Sequence, residues 1–429
     1  MQDRLRRPNR RRRRLLAAIL VVVLAACSSD QGVATTTSAG GARTKTSDGA
    51  STSYPMKTTG DTSSATSSTT KPGPCTQAGA IAAWPIEARA AQLVVVPSLD
   101  FNIDDLAPII RTGVGGVLFL GHAPAPADLA VRIARARSGS ATAVVPWFMA
   151  DQEGGGVQRM KGLVDPIPWA RTMGATLTPT QIQETAQETG RQLRAAGIDV
   201  DLAPVLDVDD AAGPSASNPD GKRSFSGTAT GVTASGLAFE RGLTNSGVVS
   251  VVKHFPGLGH STANTDMGPA STKSITALRS VDLLPFKAAI DAGAPAVMVA
   301  NATVPGLTTR PASVSAAAIR GLLRTELGFQ GMVMTDSLSA GAITAAGLSL
   351  PQAVVAAIEA GADQVLFGST LDARELALLQ PSAVATTTRQ IITALVEAVR
   401  AKHLPEARLD DAVANVLRVK KVDLCRPGA

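Results

Sequence analysis

The sequence contains few of the residues that build metal sites, disulfide-rich folds or membrane spans. It has four His and three Cys in 429 residues, and their spacing matches no metal-binding motif. The apolar run at residues 15–26 is too short to span a bilayer. With 45% hydrophobic and 18% charged residues, the chain has the composition of a large globular domain. We therefore expect a globular protein that uses no metal or other cofactor.

The chain also lacks a net charge once its N-terminus is set aside. The formal charge is +6, but eight arginines lie within the first 14 residues. Without these and Asp3, 33 basic and 34 acidic residues remain, a net charge of about −1. This distribution argues against nucleic acid as a partner.

The first 26 residues have the organisation of a secretory signal peptide, with arginines followed by a twelve-residue apolar run. The run ends in Leu24-Ala25-Ala26-Cys27, and small residues before a cysteine resemble the bacterial lipobox. We expect cleavage before Cys27 and diacylation of its thiol, which would hold an extracytoplasmic protein on the cell membrane. A signal peptide with an incidental Cys27 is the alternative.

The segment 27–74 is rich in Ser, Thr, Gly and Ala, and it cannot bury enough apolar surface to fold. We interpret it as a flexible tether between the lipidated Cys27 and a single catalytic domain at 75–429. The two remaining cysteines, Cys75 and Cys425, lie at the two ends of that domain. An oxidising compartment favours a disulfide between them, and two free thiols are the alternative.

The domain repeats a short apolar run, a polar or Gly-rich break and a longer helical pattern. The runs predict eight strands, at 92–97, 116–121, 144–150, 198–206, 248–252, 296–300, 331–335 and 364–368. Helical patterns lie between them, including those at 178–196, 232–246, 278–292, 315–327 and 350–360. Near-continuous apolar strands that alternate with helices predict an α/β fold, a (β/α)₈ TIM-type barrel.

Several of these runs end in polar residues of functional type, at Asp151, Lys253-His254, Asn301 and Asp336. In such barrels the active site lies at the C-terminal ends of the strands. We therefore expect these side chains to meet at one end of the barrel.

One of these positions belongs to a specific motif. Lys253-His254-Phe255-Pro256-Gly257 resembles a signature of glycoside hydrolase family 3, in its single-barrel bacterial β-N-acetylglucosaminidase branch. Similar segments occur in the expected order at 151–159, 201–208, 222–225 and 332–338, and the resemblance covers about residues 80–420. It implies a retaining glycosidase that forms a covalent glycosyl-enzyme.

The resemblance also implies roles for individual residues. Asp336 takes the place of the nucleophile, at the end of a buried strand that would hold it rigidly. Five further residues would hold the hydroxyls of one non-reducing sugar: Asp151, Arg159, Arg223, Lys253 and His254.

The general acid/base is where the sequence departs from the family. Its usual Asp-Ser-His segment, which carries a catalytic His, is replaced by Asn264-Thr265-Asp266. We predict Asp266 as the acid, provided that the 257–265 loop closes and brings it near Asp336, since a carboxyl needs a raised pKa for this role. His260 is the rival candidate, and a third possibility is that nothing replaces the missing His.

Four other positions also depart from the family pattern. Gly156 stands where the family usually has an Arg, Leu258 replaces a second His, Asn301 replaces a frequent His and Ser337 replaces a second Asp.

The residues leave several functions open. The first is a retaining β-N-acetylglucosaminidase that hydrolyses cell-envelope sugars derived from peptidoglycan. Others are a sugar-binding lipoprotein that has lost turnover, and another family 3 activity such as a β-glucosidase, because no residue demonstrably reads an N-acetyl group. A metal site of His254, His260 and Asp266 is a further alternative. We expect a carbohydrate ligand and a monomer.

The lipid anchor can be tested directly. Cys27→Ser removes the thiol that would be acylated, so the protein should move from the membrane fraction to the soluble fraction after cell lysis. Ser28→Ala is the matched control and should stay with the membrane. If the Cys27→Ser protein remains in the membrane fraction, Cys27 is not the anchor.

Overall fold

The structure is a computed structural model that describes residues 75–140, 144–215, 217–371 and 373–426. The predicted signal peptide, the lipidation site at Cys27 and the tether to residue 74 lie outside these residues. Within them, no helix combines the length and the apolar character that a membrane span requires.

The core of the domain is a ring of eight parallel strands, which confirms the predicted (β/α)₈ barrel. Counting a two-stranded hairpin as β4 and β5, the strands are β1 Val94–Leu99, β2 Gly116–Leu120, β3 Trp147–Ala150, β4 Gln152–Gly154, β5 Val157–Gln158, β6 Val200–Asp201, β7 Val249–Phe255, β8 Ala296–Val299, β9 Met332–Thr335 and β10 Val365–Leu366. The barrel order is β10-β1-β2-β3-β6-β7-β8-β9. A bridge between Met334 and Gln364 joins its two ends.

The strands form where the apolar runs predict them, although proline shortens two of them. The run at 198–206 is a strand only at Val200–Asp201, because Pro204 has no N–H to donate to the ladder. Leu206 still donates its N–H to the Lys253 carbonyl oxygen at 2.6 Å. The run at 144–150 begins as a strand only after Pro146, at Trp147.

Helices surround the barrel. The α-helices in the described residues are Gln77–Ala82, Ile86–Gln92, Ala107–Ile110, Leu129–Ser138, Ala170–Thr176, Pro179–Ala195, Ala229–Asn245, Ile275–Ser280, Leu283–Asp291, Gly341–Ala345, Leu350–Ala360, Ala373–Leu378, Pro381–Arg400 and Glu406–Lys420. A π-helical segment spans Ala317–Glu326, and short 3₁₀ turns span Asp104–Leu106, Gly221–Arg223 and Ala312–Val314.

The single helix predicted at 278–292 is two helices in the structure. The break falls between Ser280 and Leu283. There, the buried Asp282 carboxylate accepts hydrogen bonds from Lys273 Nζ at 3.0 and 3.2 Å, and Pro285 lies in the first turn of the second helix, where its missing N–H costs nothing.

The two ends of the domain lie side by side. The predicted disulfide between Cys75 and Cys425 is present, with their Cα atoms 5.6 Å apart. Gln77 reinforces the junction, since its Nε2 donates to the Val422 carbonyl at 3.0 Å and its Oε1 accepts from the Leu424 N–H at 2.8 Å. The bond therefore closes a loop that contains the whole barrel.

Removing this bond should destabilise the domain without changing its fold. Replacing both Cys75 and Cys425 by Ser frees the ends in the unfolded chain, and we expect the free energy of unfolding to fall by about 2–5 kcal/mol. Urea unfolding of the oxidised wild type and the double variant measures this. An unchanged unfolding midpoint would show that the Gln77 contacts alone secure the termini.

Candidate active site

A cavity of about 540 Å³ opens at the C-terminal end of the barrel strands. Asp151 follows β3, Lys253 and His254 lie near the end of β7, and Asp336 follows β9. The cavity wall contains all seven residues to which the sequence assigns sugar binding or catalysis: Asp151, Arg159, Arg223, Lys253, His254, Asp266 and Asp336. The structure thus brings the sugar-binding and catalytic candidates to one place.

A buried ion-pair network forms one wall of this cavity. Lys253 Nζ lies 2.6 Å from Asp151 Oδ1 and 2.6 Å from Glu153 Oε1. Arg223 donates from Nε and Nη2 to the two oxygens of Glu153, both at 2.8 Å. A bidentate pair of this kind fixes the plane of the guanidinium. Glu153 therefore holds both cations in position.

Glu153 is a functional residue that sequence reasoning missed. It lies in the β4–β5 hairpin, and its side chain is 3% exposed. Burial alone would raise its pKa, but the charges and hydrogen bonds of Arg223 and Lys253 hold the pKa well below its usual range. The available sequence signal was its position inside the Asp-Gln-Glu-Gly-Gly segment. A carboxylate that lies among buried cations balances their charge.

His254 is buried in a fixed tautomer in the wall of the cavity. Its Nδ1 lies 2.7 Å from Asp207 Oδ2 and its Nε2 lies 3.3 Å from Arg223 Nη2. Arginine can only donate, so Nε2 accepts and Nδ1 carries the proton. Burial and the Arg223 charge lower the pKa of His254 to about 4, so the imidazole is neutral at physiological pH and is no acid there.

Asp207 orients this histidine and the loop that follows it. Its carboxylate accepts the backbone N–H of Leu258 at 2.6 Å and that of His254 at 3.2 and 3.1 Å. Burial raises the pKa of Asp207 to about 7 despite these donors. Asp207 lies in a segment that resembles the family, but its role is not visible in the sequence because its contacts come from residues about 50 positions away.

Asp336 is held by the backbone on both sides. Its N–H donates to the Val299 carbonyl at 3.0 Å, and its Oδ1 accepts the N–H of Ser337 at 2.7 Å. Among the described residues, the other carboxylate oxygen accepts no hydrogen bond. The half-buried side chain lies in the cavity wall.

The loop that carries Asp266 is fastened to the segment after Asp336. The carbonyls of Asp266 and Thr265 accept the N–H groups of Gly341 and Ala342 at 2.9 and 3.0 Å. A Cβ on Gly341 would lie 2.8 Å from the Asp266 carbonyl oxygen, so this close approach requires glycine. The backbone thus holds Asp266 in the wall of the cavity that contains Asp336.

The rival acid, His260, points elsewhere. Its Nε2 lies 3.1 Å from Asp210 Oδ1, its side chain is 39% exposed, and it is absent from the described wall of the cavity. Its backbone φ is +58°, a conformation that few non-glycine residues adopt. Among the described residues, Asp266 therefore lies in the wall of the cavity and His260 does not.

The departures at Gly156 and Asn301 have local explanations. A Cβ on Gly156 would lie 2.8 Å from the Trp169 ring, so the indole occupies the space next to the backbone. Buried Asn301 donates from Nδ2 to the Ser337 carbonyl at 2.7 Å and accepts from Ser313 Oγ at 2.6 Å. Asn301 thus supports the segment after Asp336 from beneath.

Arg159 approaches the cavity from the side of β2. Its Nη1 donates to the Gly121 carbonyl at 3.1 Å and lies 3.5 Å from His122 Nδ1. His122 also lines the cavity, which no sequence signal indicated. Partial burial and the charges of Arg159 and Lys161 lower the pKa of His122, so it is suited to hydrogen bonding as a neutral imidazole.

In the part of the chain that the structure describes, two groups of side chains place potential metal ligands within 4.8 Å of one another. One contains Asp207, Asp220 and His254, and the other contains Asp209, Asp210 and His260. In the first group, Arg223 Nη1 lies 3.7 Å from Asp220 Oδ1. The Arg223 guanidinium is therefore already a positive charge next to these carboxylates. The alternative site proposed from sequence would require His254 and His260 together, but they fall into different groups.

The chain belongs to glycoside hydrolase family 3. The family described as "Glycosyl hydrolase family 3 N terminal domain" matches residues 85–419, which confirms the family resemblance found in the sequence.

Named relatives agree with this assignment. The "Beta-hexosaminidase LpqI" of Mycobacterium tuberculosis is 34% identical over 346 residues, which cover 77% of this chain and 82% of that protein. Among solved structures, M. tuberculosis LpqI has a TM-score of 0.72 and 32% identity over 83% of this chain and 99% of its own. The beta-N-acetylhexosaminidase of Beutenbergia cavernae has a TM-score of 0.70 and 33% identity over 79% and 99%.

The role of Glu153 can be tested by Glu153→Gln. The variant leaves Arg223 and Lys253 buried without their shared counter-charge, so the free energy of unfolding should fall by about 3–5 kcal/mol. Sugar binding should weaken as well, because both cations lose their orientation.

Glu326→Gln is a matched control for this experiment. Glu326 forms the same bidentate pair with Arg279, at 2.8 and 2.7 Å, but on the surface. Water screens such pairs, so Glu326→Gln should unfold like the wild type. Equal effects of the two variants in urea unfolding would contradict the role given to buried Glu153.

Proposed function

We propose that the protein is a retaining β-N-acetylglucosaminidase that hydrolyses glycosides of cell-envelope sugars through a covalent intermediate on Asp336. The observation that carries the proposal is one cavity that contains a backbone-held carboxylate beside a network of charged hydrogen-bonding groups. The hexosaminidase names of the two relatives described above support the substrate class.

In the proposed reaction, the charged wall binds the terminal sugar and the Asp336 carboxylate attacks its anomeric carbon. Because Ser337 N–H occupies Oδ1, the free oxygen forms the new bond as the glycosidic C–O bond breaks. Water then cleaves the glycosyl-enzyme, and two inversions leave the anomeric configuration unchanged. Lys253 and Asp151, paired at 2.6 Å, would present a fixed donor and acceptor to sugar hydroxyls.

Asp266 is the proposed acid and base. It would give its proton to the departing glycosidic oxygen and later take one from the attacking water. A carboxyl needs a raised pKa for the first step, and burial beneath a bound sugar close to Asp336 would supply it. The position of Asp266 in the wall of the same cavity supports this role.

The proposed setting is the outer face of the bacterial cell membrane, with the protein a monomer held by lipid on Cys27. The signal-like N-terminus and the Cys75–Cys425 disulfide support export, and peptidoglycan-derived sugars are the glycans found there. A sugar-binding protein without turnover is the alternative favoured by the missing catalytic His.

The nucleophile is tested by Asp336→Ala. Turnover of an aryl β-N-acetylglucosaminide should fall to background, because no carboxylate remains to form the glycosyl-enzyme. Azide is small enough to enter the vacated space and should restore release of the phenol while forming the α-glycosyl azide. Retained hydrolysis without azide would contradict the assignment.

The acid is tested by comparing Asp266→Asn with His260→Ala on two substrates. An activated aryl glycoside needs little protonation, whereas a β-1,4-linked disaccharide needs much more. Loss of the true acid should slow the disaccharide by on the order of 10²-fold more than the aryl glycoside. We expect this for Asp266→Asn and near-wild-type rates for His260→Ala, and the reverse result would make His260 the acid.

A further inference from the structure

We propose that Ser337 reads the group at C2 of the sugar by accepting a hydrogen bond from the N–H of an acetamido substituent. The inference rests on the proposed function, and it assigns a residue to the N-acetyl selectivity that the sequence left unexplained. It also gives a purpose to a position at which this chain departs from its family.

A chain of hydrogen bonds fixes the direction of the Ser337 hydroxyl. Ser339 Oγ lies 2.5 Å from Glu375 Oε2, and Glu375 is buried. A carboxylate accepts only, so Ser339 must donate its single hydroxyl proton to it. Ser337 Oγ lies 3.1 Å from Ser339 Oγ. Since the Ser339 proton is already committed, Ser337 must be the donor in that contact.

The Ser337 hydroxyl can therefore still accept a hydrogen bond, although its own proton is already used. Within the described residues its Oγ has Ser339 as its one hydrogen-bond partner, and Ser337 lines the substrate cavity. Ser339 Oγ also accepts the Gly368 N–H at 2.8 Å, which leaves the Ser339 side chain little freedom to rotate. Ser337 Oγ can consequently accept a hydrogen bond from a donor on the ligand.

Ser337 occupies the right place for the substituent at C2. It directly follows Asp336, and its own N–H holds Asp336 Oδ1 at 2.7 Å. Asp336 is proposed to bond to C1, and C2 is the adjacent ring carbon. Asn301 Nδ2 fixes the Ser337 carbonyl at 2.7 Å, so the segment is supported from beneath. An amide N–H on C2 thus meets an oriented acceptor.

The test uses two aryl β-glycosides that differ in one atom at C2. One carries an acetamido group and the other an O-acetyl group, which has the same shape but no proton to donate. For Ser337→Ala, the ratio of kcat/KM for the acetamido substrate to that for the O-acetyl substrate should fall about tenfold from the wild-type ratio. Ser98→Ala is the matched control, since it removes a buried hydroxyl that has no partner among the described residues and lies on β1.

Glu375→Gln tests the direction of the chain independently. A glutamine amide can donate to Ser339, which frees the Ser339 proton for Ser337 and turns the Ser337 proton toward the ligand. The same ratio should then fall although Ser337 is intact. Thermal melting of each variant reports whether it is folded, and Ser339→Ala, which releases the Ser337 proton by a smaller change, replaces Glu375→Gln if that variant does not fold.

The results distinguish a failure of this inference from a failure of the proposed function on which it rests. If the wild type does not hydrolyse the acetamido substrate, the proposed function is wrong. If the wild type hydrolyses it and Ser337→Ala keeps the wild-type ratio, the function stands and Ser337 does not read the acetamido group. An unchanged ratio in folded Glu375→Gln or Ser339→Ala would overturn the proposed proton direction.

Discussion

The site depends on one buried carboxylate shared by two cations. Glu153 touches Arg223 with both oxygens and Lys253 with one, so it connects the β4–β5 hairpin, the turn at Gly221–Arg223 and strand β7. Such pairs contribute modest net stability because desolvation offsets their attraction. Their larger effect is positional, since no member can move without leaving a buried charge unpaired.

This arrangement also determines the chemistry of its neighbours. Burial and the Arg223 charge keep His254 neutral, and Asp207 fixes its tautomer. A neutral imidazole bonded to Asp207 through Nδ1 and to Arg223 through Nε2 can orient Arg223, but it cannot protonate a leaving group near neutral pH. The acid must therefore come from another part of the cavity wall, and the fastened loop brings Asp266 there.

The sequence predicted the barrel because the strands are buried on both faces and therefore remain apolar throughout. It also placed Asp151, Lys253 and Asp336 at one barrel end, since strand ends converge in this fold. It could not assign Glu153 or Asp207 a role, because their partners are far away along the chain. The prediction of a long strand at 198–206 was wrong for a local reason, because Pro204 has no N–H to donate. The proton direction at Ser337 depends on Glu375, 38 positions away, and no local pattern shows that contact.

The central claim is a covalent bond between Asp336 and the anomeric carbon. A 5-fluoro N-acetylglucosaminyl fluoride should form this bond quickly and release it slowly, since fluorine destabilises the positively charged transition state while fluoride leaves readily. Mass spectrometry of the intact protein, followed by peptide mapping, should show one added sugar on the peptide that contains Asp336. A sugar on another carboxylate, or steady turnover with no covalent adduct, would contradict the account.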